Sequence, residues 1–428
     1  MVQTSFLGDM LTTLFERRRP SSNGADARSI EQMCNALLAA EGEVSGPALA
    51  KAILTKYAGL SNDERLGFFQ FLNTDLEIDP KDLHALTSQY FETADIQTYQ
   101  ALKTASEPRR QELLRRLNQS PGATATLVSM RVDLLTFLKN HSDLKRTDLD
   151  FVHLLRSWFN RGFLVLREIS WDTPASILEK IVAYEAVHAI NDWEDLRRRL
   201  YPPDRRCFAY FHPTMPEEPL IFVEVALTKA VPSSIQDVLA EERAHRDASH
   251  TTVAVFYSIS NCQAGLLGIS FGNLLIKQVV DELRHTLPQL KTFVTLSPIP
   301  GMNHWLDSLT DTDVVGLTRD GKGPDENIQQ LAAHYLLNEK NARGVTKDPV
   351  ARFHLGNGAQ VHAVHAQADL SGKGQDQSNG AMVNYLYDFK MIEKNHETFV
   401  LGKGTPASKQ VVELASAGLK LLKNKVAQ

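Results

Sequence analysis

Apolar residues recur every three or four positions from Ile30 to about Phe159: Ile30, Met33 and Leu37, then Leu66, Phe69 and Leu72, then Leu134, Phe137 and Leu138, then Phe151, Leu154, Leu155 and Trp158. Charged residues fill the positions between, and strand signals are nearly absent, so this half predicts an all-helical bundle of amphipathic helices. Breaks fall at Asp79-Pro80, Glu107-Pro108 and Ser120-Pro121-Gly122. Upstream, Arg17 to Arg28, with Pro20, Ser21, Ser22, Asn23 and Gly24, reads as a linker after a short N-terminal helix.

The pattern changes after Trp158. Strand character appears at Phe163–Ile169, Cys207–Phe211, Leu220–Leu227, Val253–Ile259, Phe293–Leu296, Gln360–His365 and Met382–Tyr387. Helical spacing intervenes at Pro174–Leu200, Ser234–Arg246, Asn273–Leu287 and Glu326–Lys340, and Leu370–Asn379 reads as a polar loop. The fold class expected is α+β: a helical domain over residues 1–160, then a mixed α/β domain over 161–428.

Within the second half, Thr251 to Gly301 runs strand, glycine loop, amphipathic helix, strand. Gly265, Gly268 and Gly272 let a ligand approach the main chain, and the following helix N-terminus favours an anion. In a right-handed βαβ unit the end of the second strand returns to the same edge, which sets Ser297 beside that loop. The loop contains neither GxGxxG nor GxxxxGK[ST], so taken alone it fits a tight connection as well as a phosphate site.

Composition narrows the partners. With 428 residues, 43% hydrophobic, and a net charge of -5, the chain is an ordinary globular one and not built to neutralise nucleic acid. Cys34, Cys207 and Cys262 are odd in number and far apart, which suits a reducing, cytoplasmic setting and no disulfide framework. No apolar run spans a membrane, and the first residues lack a secretory pattern.

Candidate chemistry lies in a few side chains. Ser297 stands in LSPIPG, held by Pro298 and Pro300, without the GxSxG of a nucleophile elbow. His354 stands in DPVARFHLGNGA at a helix end, where Asp348-Pro349 makes a plausible cap. An imidazole there suits a general acid or base, or a half-buried capping role. His188 and His212 read as core or turn residues, Arg197 to Arg199 as a solvated helix face, and Tyr385 with Tyr387 as neighbours on one strand face. Alternation sets His362 and His365 on opposite faces, which speaks against a metal site.

FHPTMPEEPLIFVEVALTKAVPSSIQ, FYSISNCQAGLLGISFGNLLIKQVVDEL, FVTLSPIPG, RFHLGNGA and AMVNYLYDF, in that order, resemble the malonyl-CoA decarboxylase family. The resemblance implies a GNAT-like catalytic domain that decarboxylates malonyl-CoA to acetyl-CoA and CO2, with no metal or organic cofactor. It implies CoA pyrophosphate contacts in the window Leu267, Gly268, Ile269, Ser270, Phe271, Gly272 and Asn273. Ser297 and His354 match the serine and histidine that the family uses, and Tyr387 and His188 match supporting positions. Some members carry an acidic residue where this chain has Ser270, which leaves a third catalytic member open. A homo-oligomer, dimer or tetramer, formed through the helical domain is also implied. An acyl-CoA transferase, a Ser/His thioesterase and a non-catalytic CoA-binding module are the competing readings.

Overall fold

The computed structural model describes residues 27–40, 46–269, 272–309, 325–342 and 344–426. Two compact units emerge: Met1–Leu127 with Asp133–Asp150, and Val128–Val132 with Phe151–Gln428. The expected short N-terminal helix and most of the linker after it lie outside the described residues.

Among the first unit's described residues every regular element is a helix, as the spacing predicts. Ser61 caps helix Asn62–Thr74 in a reciprocal box with Glu64, and Asp79 with Pro80 opens helix Pro80–Thr93. In its core Tyr57, Phe68 and Phe69 pack edge to face, and Met33, Leu37 and Leu113 are also buried. Arg110, 2% exposed, is held by Asp150 at 2.5 Å and Glu77 at 3.2 Å, so its buried charge is paired.

The second unit is built on a sheet of eight strands: β1 Val165–Ile169, β2 Arg205–Phe211, β3 Ile221–Thr228, β4 Val253–Asn261, β5 Thr292–Thr295, β6 Ser297–Pro298, β7 Gln360–His365 and β8 Met382–Leu386. β1 to β4 are neighbours in sequence order and antiparallel. β4 and β5 run parallel, joined through the glycine loop and helix Gly272–Thr286. β5 and β6 then pair in turn along one edge of β8, and β7 pairs along the other. This is the mixed sheet expected, including the parallel strand–helix–strand unit read from Thr251 to Gly301. Val255, Tyr257, Val294 and Leu296 pack on one side of it with Ile235 and Val238, away from water.

Several local expectations need correction. Pro174–Leu200 is two helices, Ala175–Tyr184 and Trp193–Leu200. Between them the Glu185 carboxylate accepts from the N–H groups of Val187 and His188 and from Ser258 Oγ, which holds the chain in a turn, and Asp192 caps the second helix. Ser234–Arg246 is helical only over Ile235–Leu239, because Ala240 is extended and Arg243 is drawn to Asp204. Leu370–Asn379 contains a short helix, Gly372–Ser378, capped by Ser371 and ended by Asn379 in the left-handed region. Arg199 is not solvated: it is buried and pairs with Asp195 and Glu224. Simple alternation also fails at His362, the extra residue of a β-bulge between Val361 and Ala363.

Candidate active site

β4 and β5 stay paired through Phe256 and Thr295, and Leu296 N–H still donates to the Phe256 carbonyl at 3.0 Å. Beyond that point the two strands part. The gap opens into a cavity of about 220 Å³ lined by Phe256, Tyr257, Ile259 and Asn261 of β4 and by Ser297 and Pro298 of β6. Val350, Phe353 and His354 of helix Pro349–Gly356 close another wall, with Val187 and Ile221 completing it.

Register explains why β4 serves this cavity. Val225 faces Phe256 but Glu224 faces Ser258, so Tyr257 is one residue too many on β4, a β-bulge. Phe256, Ile259 and Asn261 can therefore all line the cavity, although strict alternation would separate Phe256 from the other two.

Ser297 and His354 meet here. Ser297 Oγ lies 3.3 Å from His354 Nε2 and donates to Thr295 Oγ1 at 2.8 Å. Thr295 Oγ1 also accepts from the Tyr385 N–H at 3.1 Å, and Asn384 Nδ2 donates to the Thr295 carbonyl at 2.8 Å. β8 thus fixes the residue on which the serine rests. With the serine proton directed at Thr295, the imidazole donates from Nε2, and its Nδ1 accepts from the Tyr387 hydroxyl at 2.8 Å. Tyr385 stacks on the imidazole, centroids 4.6 Å apart. The carrier helix is fixed at its start by Asp348, whose Oδ1 accepts from Ala351 N–H at 2.8 Å, with Pro349 in the first turn.

Burial sets the electrostatics. It pushes His354 down to about 3, so the imidazole is neutral near pH 7, and it holds the Tyr387 phenol well above its ordinary value. The Asp348 carboxyl is pushed up to about 6, again chiefly by burial, against the pull of the N–H groups it caps.

Of the other expected residues, Tyr387 joins the pair directly and His188 does not. His188 lines a second cavity of about 480 Å³ with Asp369 and Lys373, and the two cavities share Val187. Burial pushes His188 down to about 4 against the pull of Asp369, and its Nε2 is buried with no hydrogen-bond partner. Lys373 Nζ ties this region together by donating to the Ala186 carbonyl. In the glycine loop, a tight turn over Ala264–Leu266 leads to Gly268 at φ +79° and on to the helix starting at Gly272. Leu267 is exposed and Ile269 is buried, while Asn273 lies in the helix's first turn. Ser270 and Phe271 lie outside the described residues. His212 is a turn residue as expected, packed on Phe159 and bonded to Thr214. Thr295, Asn384 and the stacking of Tyr385 were not anticipated; the signal for Thr295 was its spacing of two from Ser297 in TLSPIPG, which sets both on one strand face.

The second unit is thus a mixed α/β domain whose parallel strands part around a buried serine–histidine contact. Residues 162–324 and 322–426 match the malonyl-CoA decarboxylase C-terminal domain, and residues 76–159 match the N-terminal domain of the same family. The chain belongs to the malonyl-CoA decarboxylase family, and as an enzyme it is a carboxy-lyase. Among its relatives is the mitochondrial malonyl-CoA decarboxylase of Anser anser anser, 35% identical over 384 residues, 79% of this chain and 76% of the relative. The crystal structure of malonyl-CoA decarboxylase from Agrobacterium vitis is 47% identical with a TM-score of 0.86, covering 90% of this chain and 99% of that one. That from Rhodopseudomonas palustris is also 47% identical, with a TM-score of 0.84 over 89% and 98%.

Proposed function

We propose that Ser297 and His354 carry the decarboxylation of malonyl-CoA to acetyl-CoA and CO2 without a metal or organic cofactor. The observation behind this reading is the 3.3 Å approach of Ser297 Oγ to His354 Nε2 on the wall of an otherwise largely apolar cavity. The bond between the carboxylate carbon and Cα breaks, its electron pair passes into the thioester carbonyl as an enolate, and CO2 leaves. Cα then takes one proton. The thioester is itself the electron sink, so the protein needs only to hold the carboxylate out of the thioester plane, stabilise the enolate and deliver the proton.

Ser297 O–H rotates from Thr295 to orient the carboxylate. His354 delivers the proton. A neutral imidazole is a poor acid, but an anionic carboxylate arriving in the same buried space favours the imidazolium, reversing the effect of burial. Substrate binding then takes up the proton that catalysis spends, and Tyr387 Oη switches from donor to acceptor at Nδ1. Val187 of the cavity wall adjoins His188, which we assign a supporting role from the rim of the neighbouring cavity. The main chain of Leu267 to Asn273 holds the CoA pyrophosphate at the start of helix Gly272–Thr286.

The helical half is read as the oligomerisation domain. Phe91, Ile96 and Tyr99 on hairpin 80–105 are exposed, 89% in the case of Phe91, as suits a face covered by a second copy in a dimer or tetramer. Three buried free cysteines agree with a cytoplasmic setting. Among the described residues no helix is long and apolar enough to cross a membrane.

Incubation with malonyl-CoA followed by separation of acetyl-CoA, malonate and CoA tests the reaction. Stoichiometric acetyl-CoA is the expected product; malonate with free CoA would mark a thioesterase and end this reading.

A further inference from the structure

An anion-binding loop must turn its carbonyl oxygens away from the anion as well as its N–H groups toward it. In the glycine loop the groups that take those carbonyls are visible. Arg131, 2% exposed, donates from Nη1 to the Gly265 carbonyl at 2.7 Å and to the Leu267 carbonyl at 2.9 Å. Arg156 Nη2 donates to the Gly268 carbonyl at 3.3 Å. Arg131 sits in the segment Val128–Val132, which belongs to the same compact unit as the loop. Gly265 lies so close behind it that an added Cβ would run into the Val128 carbonyl.

The described chain has no cis peptide bond, and in a trans peptide the N–H points opposite to the C=O. Drawing the Gly265 and Leu267 carbonyls to one guanidinium therefore turns the N–H groups of Leu266 and Gly268 to the far side. Leu266 N–H is spent on the Gln263 carbonyl, whereas that of Gly268 faces the side opposite Arg131. The buried positive charge behind the loop adds a favourable potential for an anion in front of it.

We infer that Arg131 is a positioning residue for CoA binding: it braces the loop from behind, hides the carbonyls and aims the Gly268 N–H at the pyrophosphate. The inference rests on the reading that this loop binds the pyrophosphate. It touches no reacting atom, so its effect is confined to substrates that carry the nucleotide.

The test compares malonyl-CoA with malonyl-pantetheine, which lacks the pyrophosphate, in the full-length enzyme. For Arg131→Met the expected result is a KM for malonyl-CoA raised about tenfold or more, with kcat changed far less and malonyl-pantetheine turned over with its wild-type KM. Arg131→Lys keeps the charge but loses the fork, and gives a smaller rise of the same pattern; it carries the test if the methionine variant does not fold. An equal loss for both substrates, or no loss for either, overturns the brace. Gly268→Asp separates the two ideas. If it leaves the malonyl-CoA KM unchanged, the loop reading itself fails; if it raises KM while Arg131→Met does not, only the brace fails.

Discussion

Tyr387 Oη lies 2.8 Å from His354 Nδ1, and both groups are buried. The phenol is thus the partner that fixes which imidazole nitrogen faces Ser297. Tyr387→Phe leaves the buried Nδ1 without its hydroxyl partner, and an orphaned buried group costs about 1–3 kcal/mol. We expect kcat to fall roughly tenfold or more, with CoA affinity unchanged in equilibrium titration.

His354→Asn should lower kcat by about 10²–10⁴, the usual span for a lost acid–base group, and Ser297→Ala should also lower it strongly, through loss of the hydroxyl that orients the carboxylate. CoA affinity should stay nearly intact, because neither side chain belongs to the glycine loop. A variant with near-normal turnover in a steady-state assay would remove that residue from the reaction.

Proton linkage gives a sharper check on His354. Its folded value near 3 lies below the ordinary 6.5, so from about pH 6.5 down to 3 the unfolded chain binds more protons and stability falls with falling pH. His354→Asn should lose that slope in thermal melts. Calorimetric titration with a malonyl-CoA analogue that cannot lose CO2, repeated in buffers of different ionisation enthalpy, should show about one proton taken up per site near pH 7. The asparagine variant should show none.

Glu224 has the opposite sign. Fully buried beside Arg199, its carboxyl is pushed up to about 8 by burial and by Glu185, against the pull of Arg199. Between about pH 4.5 and 8 the folded state holds the extra proton, so stability falls as pH rises through that window. Glu224→Gln should flatten this fall, melting higher than the wild type at pH 8 and gaining less at pH 5.

Two glycines of the same loop should fail for different reasons. Gly265→Ala forces a methyl against the Val128 carbonyl, an overpacking expected to cost about 1–3 kcal/mol in denaturant titration. Gly268→Ala meets no atom within 4 Å but must hold φ +79°, a backbone cost of about 1–2 kcal/mol.

Much of this was legible in the sequence, where periodicity is strong. Strand β7 falls on Gln360–His365 as read, the helix after the glycine loop begins within one residue of Asn273, and Asp348 caps the histidine's helix. What the pattern missed depends on partners distant in sequence. Nothing near Glu185 announces that Ser258 and Ser260 will draw its carboxylate and break the helix there, and nothing in Arg197-Arg198-Arg199 singles out the arginine that pairs with Glu224. The Ser297–His354 approach spans 57 residues. Motif resemblance could suggest it, whereas alternation and spacing could not.

The single surplus residue of β4 divides that strand into two stretches of opposite phase. Before Tyr257 the even-numbered positions face the cavity, as Phe256 does; after it the odd-numbered ones do, as Ile259 and Asn261 do. With the same residues held in one uniform frame and no bulge, the cavity would receive either Phe256 or the pair beyond it, never all three. The shape of this cavity is therefore written in the count of residues along one strand as much as in their identity.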